Sequence, residues 1–373
     1  MVNQIITLVL FCNSLYGSVS NSDPAKVLKE AQSKLETCQS VSYQQIGYYP
    51  NPVGTLDTIR TGAVFFKNTD SSIAEDFILG NDNYQQVYIA GNYNQVSHSR
   101  QMVTLFQDGN SDLIENNIEN SVTYKRSPMK LKNFMDWEYV TDTSFNQNRY
   151  FDYSRVIDKR MVDGYLVLTE QHIFINLETK NIERFERRNF YKGSLTQRIV
   201  ITFEDYDFSE NSSKLTYQLP EGYRSVLYGT EEKQELIALG VKAPSFEVKD
   251  LLGEIVNLDE YKGKKVLLNF SSIGCGYCHQ AVQFFNEHND LLPDNMVAFY
   301  VSMGDKKNRL VDYFEKIQPP YPVIPNGEQI GELYGASSTP NFILINEKGI
   351  VEKTVMGFDK DFLYGLNNSK ANK

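Results

Sequence analysis

The segment Cys275-Gly276-Tyr277-Cys278 constrains this chain more than any other feature. It follows the apolar run Val266-Leu267-Leu268-Asn269-Phe270, which reads as a buried strand. It opens a stretch containing Ala281-Val282-Gln283-Phe284-Phe285, which reads as a helix with an apolar face. Two cysteines spaced this way at a strand-to-helix junction point to a redox dithiol. The first falls at a helix N-terminus, where unpaired backbone N–H groups and the macrodipole favour negative charge. The thiolate is the reactive form, so Cys275 is the expected nucleophile. Cys278 stands one turn on, close enough to form a Cys275–Cys278 disulfide and release a bound partner.

Three other readings use the same residues. His279 completes Cys-x-x-Cys-His, which is also the attachment string of c-type haem. That reading needs a second axial ligand and a small helical domain, whereas the flanks here are strand and helix. A structural zinc site needs a second ligand pair; Cys38 lies far off in sequence and the chain has four histidines. A purely structural disulfide remains open, although so short a loop is strained and suits a labile bond better than a staple. The redox reading is preferred, with no metal and no cofactor expected. Gly276, Tyr277 and His279 are then the residues that tune the couple, His279 being alternatively an exposed residue of the first helical turn.

Residues from about Gly240 to Leu366 resemble the TlpA/ResA branch of thioredoxin-like proteins. The resemblance rests on Gly240-Val241-Lys242-Ala243-Pro244-Ser245-Phe246, Asp250-Leu251-Leu252-Gly253-Glu254-Ile255-Val256-Asn257-Leu258, Tyr261-Lys262-Gly263-Lys264-Lys265, and Thr339-Pro340-Asn341-Phe342-Ile343-Leu344-Ile345 before Gly349. It implies a thioredoxin-like α/β domain in which Pro340 is cis and faces the dithiol, and in which Thr339 offers its backbone to a substrate strand. The string Cys-Gly-Tyr-Cys-His is similar to the site of the disulfide isomerase DsbC, and this similarity covers the site alone. The chain also departs from the family. Ser271 and Gly274 stand where tryptophans usually precede the motif. Asn269 replaces a buried Asp and Ala281 replaces a Glu, so the usual carboxylates beside the resolving thiol are missing.

A chain of 373 residues is expected to hold about two domains. Its abundant Tyr and Phe lean toward β structure, and a net charge of −10 argues against nucleic acid or anionic lipid surfaces as partners. The basic block from Arg184 to Arg188 is interleaved with Glu186 and reads as a solvated strand. Ile5 to Cys12 forms a short apolar core followed by Gly17, Ser18 and Ser20, the pattern of a signal peptide over residues 1–20, although no Lys or Arg precedes it. Phe11 before Cys12 disfavours a lipoprotein anchor. A mature start between Ser18 and Asn21, and a periplasmic or otherwise extracytoplasmic location, are expected. The mass of the native protein checks the first.

Residues 21–222 read as one helix, Pro24 to Glu36, and then many strands: 41–49, 58–67, 74–79, 84–89, 93–98, 102–106, 155–162, 165–169, 171–177, 182–191 and 195–208. A short helix near 131–137 interrupts the series. Asp163-Gly164 and Lys192-Gly193 are hairpin signals. This predicts an antiparallel β half-barrel with a helix (α+β). Asp163-Gly164-Tyr165, His172-Ile173-Phe174-Ile175 before Glu178-Thr179-Lys180, and Phe203-Glu204-Asp205-Tyr206 resemble the LolA/LolB-like lipoprotein-carrier fold. That resemblance implies a sheet able to hold a hydrophobic ligand; ordinary core filling by the aromatics is the plainer account. A linker helix is expected within 223–239, capped by Thr230, before the thioredoxin-like domain at 240–373. These readings add up to an extracytoplasmic thiol–disulfide oxidoreductase, reductase or isomerase. Its partners are envelope protein thiols and disulfides and an upstream electron donor. The alternative is a lipid- or peptide-binding module carrying an accessory redox domain.

Overall fold

The computed structural model describes residues 22–367, except 52–53, 69–72, 74, 107–110, 133–135, 163, 210–213, 231–234, 289–290 and 319–320. The expected signal peptide, with Cys12, lies outside the described residues. The chain divides into two units, one of residues 1–47 and 60–224 and the other of residues 48–59 and 225–373.

The first unit is β-rich with few helices. Its elements are α1 (Pro24–Thr37), β1 (Ser40–Pro50), β2 (Leu56–Lys67), β3 (Glu75–Gly80), β4 (Tyr84–Ile89), β5 (Asn92–Ser97), β6 (Met102–Leu105), α2 (Ser111–Asn120), α3 (Val122–Lys125), α4 (Pro128–Leu131), β7 (Glu138–Phe145), β8 (Asn148–Val162), β9 (Tyr165–Asn176), β10 (Ile182–Tyr191) and β11 (Ser194–Ser209); β12 (Arg224–Leu227) follows. These strands make a twelve-stranded sheet ordered β12-β6-β5-β4-β3-β2-β1-β11-β10-β9-β8-β7. It is an open sheet with β12 and β7 at its edges, not a closed barrel. Of the short helix expected near 131–137, residues 133–135 lie outside the described residues and Leu131 is the end of α4; α2 and α3 come before it. The strands expected at 165–169 and 171–177 are one strand, β9, and β7 was not foreseen.

Local chemistry explains the elements. Asp23 caps α1 by accepting from Ala25 N at 3.1 Å, Pro24 occupies the first turn, and Val27, Ala31 and Leu35 form its buried stripe. Aromatic rings fill the interior: Tyr43 packs against Phe65 and Phe203, and Phe77 against Tyr88 and Tyr124, with ring centroids 5.3–6.2 Å apart. Cys38 is the C-cap of α1 and is half-buried, its thiol donating to Leu35 O at 3.3 Å.

The basic block on β10 is no solvated strand. Glu186 is fully buried and accepts from Arg184 and Arg188 on its own strand and from Arg198 on β11, with a closest approach of 2.7 Å to each. Arg188 and Arg198 are directly opposed in the β10–β11 register, so two like charges meet there. Glu186 beneath them is what makes that pairing tolerable.

The second unit holds β13 (Glu247–Lys249), β14 (Ile255–Asn257), β15 (Lys265–Ser271), α5 (Gly276–Glu287), β16 (Met296–Ser302), α6 (Lys307–Phe314), β17 (Val323–Ile324), α7 (Glu328–Tyr334), β18 (Asn341–Ile345), β19 (Val351–Met356) and α8 (Lys360–Gly365). A five-stranded sheet runs β17-β16-β15-β18-β19, with β16 parallel and β18 antiparallel to the central β15. Every residue from Val266 to Phe270 is buried, as a strand covered on both faces requires. This is a thioredoxin-like α/β arrangement.

Of the expected linker helix, residues 231–234 lie outside the described residues; 223–230 contain β12 and a turn, and 235–239 are not helical. The backbone there is engaged elsewhere, since Ile237 N donates to Tyr334 O at 3.0 Å at the end of α7. Gly335, at φ +67°, makes room for it: a Cβ there would stand 1.9 Å from Glu235 O.

Burial pushes the Glu186 carboxyl up, but the Arg198, Arg184 and Arg188 guanidiniums outweigh it and hold the group below its ordinary range. A depressed carboxyl contributes stability that is present above its unfolded value and lost as pH falls through the folded one. Glu186→Gln is therefore expected to cost about 2–3 kcal/mol at neutral pH, since it strands partly exposed arginines around a neutral group. In urea unfolding, its deficit against wild type should shrink below about pH 4. A pH-independent deficit would point to lost packing instead.

Candidate redox site

The end of β15 and the start of α5 build the site. β15 delivers the chain from the buried sheet into the loop Ser272–Gly274, and Cys275 is the N-cap of α5 at φ −93°, ψ 118°. Its Sγ accepts the Cys278 N–H at 3.2 Å, so the sulfur takes the place that a Ser or Asp oxygen usually holds at a cap. Cys275 is half-buried, Cys278 is fully buried, and both are free cysteines. Between them Gly276 and Tyr277 are exposed, the tyrosine by 64%.

The strand β18 brings in the other wall. It pairs antiparallel with β15, with Asn341 opposite Phe270, which sets the preceding Thr339-Pro340 beside the cysteine loop. The Cys275 thiol donates to Thr339 O at 3.7 Å. The Thr339–Pro340 peptide bond is cis, Pro340 is buried and Thr339 half-buried. Thus the structure brings Cys275, Cys278, Thr339 and Pro340 together.

His279 is not the exposed first-turn residue that the sequence allowed. It is half-buried, its Nδ1 lies 2.8 Å from Tyr313 Oη, and burial lowers its imidazole pKa. Burial, followed by the hydrogen bond with Cys275, pushes the Cys278 thiol up to about 12. Burial also pushes up the phenols of Tyr300, Tyr313 and Tyr321, and the charge of nearby Cys278 adds to each. Tyr321 Oη accepts from Asn269 Nδ2 at 2.9 Å, and Asn269 Oδ1 accepts from Ser271 at 2.7 Å. The Tyr300 hydroxyl is buried with no hydrogen-bond partner among the described residues. The phenols of Tyr300, Tyr313 and Tyr321 therefore stand close to the inner thiol.

The residue that sequence reasoning missed is Asp305. Its carboxylate accepts from Ile273 N at 3.1 Å, Ser272 Oγ at 3.1 Å and Ser302 Oγ at 2.9 Å. It ties the loop in front of Cys275 to the end of β16. The only sequence signal is an Asp just past an apolar strand, in Ser302-Met303-Gly304-Asp305, which by itself marks a turn.

Residues 239–354 match the AhpC/TSA family. Thioredoxin-like protein YneN of Bacillus subtilis is 31% identical over 135 residues, covering 35% of this chain and 79% of that protein. The thiol-disulfide oxidoreductase ResA of Bacillus cereus is 31% identical over 148 residues, or 39% of this chain and 82% of the relative. Among solved structures, StoA of Bacillus subtilis aligns with a TM-score of 0.29 at 22% identity, over 33% of this chain and 96% of its own.

Asp305 touches neither thiol and acts through the loop. Asp305→Ala is expected to slow alkylation of Cys275 or its exchange with a small disulfide by about tenfold. The loss of acceptors for one buried N–H should also cost about 1–3 kcal/mol of stability. Asp305→Asn, which keeps an acceptor oxygen, should recover part of both. An unchanged Cys275 reaction rate in a folded Asp305→Ala protein would remove the positioning role.

Proposed function

From the premise that the chain belongs, through its C-terminal unit, to the thioredoxin-fold family of ResA-like thiol–disulfide oxidoreductases, we propose that Cys275 and Cys278 exchange disulfides with proteins outside the cytoplasm. The observation that carries this reading is the asymmetry of the two thiols. Cys275 is accessible and held at a helix N-terminus, whereas Cys278 is buried behind it.

The Cys275 thiolate attacks one sulfur of a substrate disulfide. The S–S bond breaks, the second substrate sulfur leaves as a thiolate and takes a proton, and a mixed disulfide joins Cys275 to the substrate. Cys278 then loses its proton and attacks Cys275 Sγ, which expels the reduced substrate and leaves the Cys275–Cys278 disulfide. Two electrons have passed to the substrate, and an upstream dithiol donor restores the pair. Thr339 offers its backbone to the substrate chain beside Cys275, and exposed Tyr277 supplies an apolar contact at the rim. Pro340 fills the wall behind them, and Gly276 leaves the approach open.

The resolving step sets the outcome. In the mixed disulfide Cys275 no longer carries a thiol, but the burial of Cys278 remains, and burial is the larger cause of its raised pKa. Its thiolate is therefore scarce at neutral pH, and Asn269 and Ala281 offer it no carboxylate. A long-lived mixed disulfide gives a substrate thiol time to attack instead, which supports isomerisation alongside reduction. In the N-terminal unit, a cavity of about 180 Å³ beside Leu35, Cys38, Val41, Phe65 and Met129 falls below the size of ordinary ligand sites. A hydrophobic ligand bound there would be a short one.

Cys275→Ser should abolish exchange, and Cys278→Ser should accumulate mixed disulfides with protein substrates, visible on non-reducing gels. Iodoacetamide at neutral pH should label Cys275 before Cys278. Faster labelling of Cys278 would reverse the assignment. The rate of resolution, measured by stopped flow on a preformed mixed disulfide, should rise about tenfold per pH unit between roughly pH 6 and 9, because the thiolate fraction rises that way below the pKa. A flat profile would mean that deprotonation of Cys278 does not limit the step.

A further inference from the structure

Four strands of the β-rich unit outrun its core. β8, β9, β10 and β11 start from a base in which Phe151, Tyr153, Ile173, Phe174, Phe185 and Ile201 are buried. They then run on, with bulges between Val156 and Asp158 and between Asn189 and Phe190, to a common end. Val162 pairs with Tyr165 across one hairpin, Tyr191 with Ser194 across the other, and Tyr191 with Val167 between the two. β7 accompanies β8 only as far as Ser154, so beyond it the outer edge of β8 is unpaired.

The side chains at this tip are apolar and bare. Val156 is 56% exposed, Met161 64%, Val162 39%, Tyr165 45%, Leu166 38% and Leu195 49%. Successive strand residues point to opposite faces, so Met161 and Val162, like Tyr165 and Leu166, bare both sides of the sheet. A protein docking on one face would leave the other face wet; a medium that surrounds the tip would not. The charge at the tip also runs against the rest of the chain. Residues 156–171 and 187–198 carry Lys159, Arg160, Arg187, Arg188, Lys192 and Arg198 against Asp158, Asp163 and Glu170, in a chain of net charge −10. Lys159, Arg160 and Lys192 are exposed. Arg188 and Arg198 lean on Glu186, and Arg160 on Asp158, so Lys159, Arg187 and Lys192 carry the surplus.

We propose that the tip of the β8–β11 arm docks on an anionic lipid surface, its aliphatic side chains entering the headgroup layer on both faces of the sheet while its lysines and arginines meet the lipid phosphates. Apolar contact and basic charge are the two signals that together hold a peripheral protein on a membrane. The net negative charge of the chain opposes such binding as a whole, and the basic surplus of the tip orients it toward an anionic surface.

The test uses the full chain carrying Met161→Trp. The sole native tryptophan, Trp137, is 6% exposed and gives a steady background. Emission should shift to the blue with vesicles of equal phosphatidylglycerol and phosphatidylcholine, and stay put with phosphatidylcholine alone. Adding Lys159→Glu and Lys192→Glu should weaken the shift at least about tenfold in lipid concentration. In the native background, Val162→Ser with Leu166→Ser should reduce co-sedimentation similarly, with disulfide exchange retained as the sign of an intact protein. Co-sedimentation without a shift at position 161 would place binding elsewhere in the chain and overturn the proposal. So would equal binding by the charge-reversed protein, or a shift that appears without lipid and follows self-association in sedimentation equilibrium.

Discussion

The redox unit depends on the pairing of β15 with β18. Cys275 and Thr339 are distant in sequence, and what sets the thiol 3.7 Å from the Thr339 carbonyl is the antiparallel register that places Asn341 opposite Phe270. A one-residue slip would turn every side chain of β18 to the wrong face, and Asn341 to Ile345 are buried throughout. The register is thus fixed by the core, and the core thereby fixes the site. The helix contributes the other half: the N-cap geometry that ends the loop gives the sulfur a backbone N–H to accept and leaves it partly open to an incoming disulfide.

Behind that sulfur the protein keeps a second one out of water. Placing Cys278 at the fourth position of the motif puts it on the buried side of α5, in line with Ala281, Val282 and Phe285. The same packing that anchors the helix therefore makes the resolving thiol reluctant to ionise. Accessibility and reluctance are two consequences of one helical turn, and the proposed order of the chemical steps rests on them. Asp305 shows how the accessible half is held still: one carboxylate collects the donors of the loop and of the neighbouring strand end.

Much of this was legible in the sequence because it is local. The Cys-x-x-Cys motif between an apolar run and a helical pattern located the junction of β15 and α5, and Pro24 after Asp23 located the start of α1. Alternating strands between Asn- and Gly-rich turns gave most of the large sheet. What escaped was set by contacts through space. Asp305 reads as a turn residue until β16 carries it to the cysteine loop. Tyr300 on β16 and Tyr313 on α6 have nothing in their spacing to place them beside Cys278. The helix expected near Thr230 had a cap and an acidic first turn, yet the described part of it, from Glu235, spends its backbone on the end of α7. The strands expected at 165–169 and 171–177 were divided at Glu170, a polar residue that the sheet accommodates within a single strand.

The two units treat buried ionisable groups in opposite ways, and the contrast bears on function. Glu186 lies under the sheet surface with three guanidiniums converging on it, so its charge is retained and its carboxyl held down. Such a group is spent on structure: once satisfied from several sides it has no free lone pair to lend and no reason to change state. Cys278 is buried close to the phenols of Tyr300, Tyr313 and Tyr321, and burial favours its neutral form, so its proton is retained instead. A group in that position keeps its proton until an electrophile comes within reach, a disulfide at Cys275. The missing carboxylates at Asn269 and Ala281 are therefore consistent with a site whose second step is slow by construction, and in which the lifetime of the mixed disulfide, more than the attack that forms it, decides what becomes of the substrate.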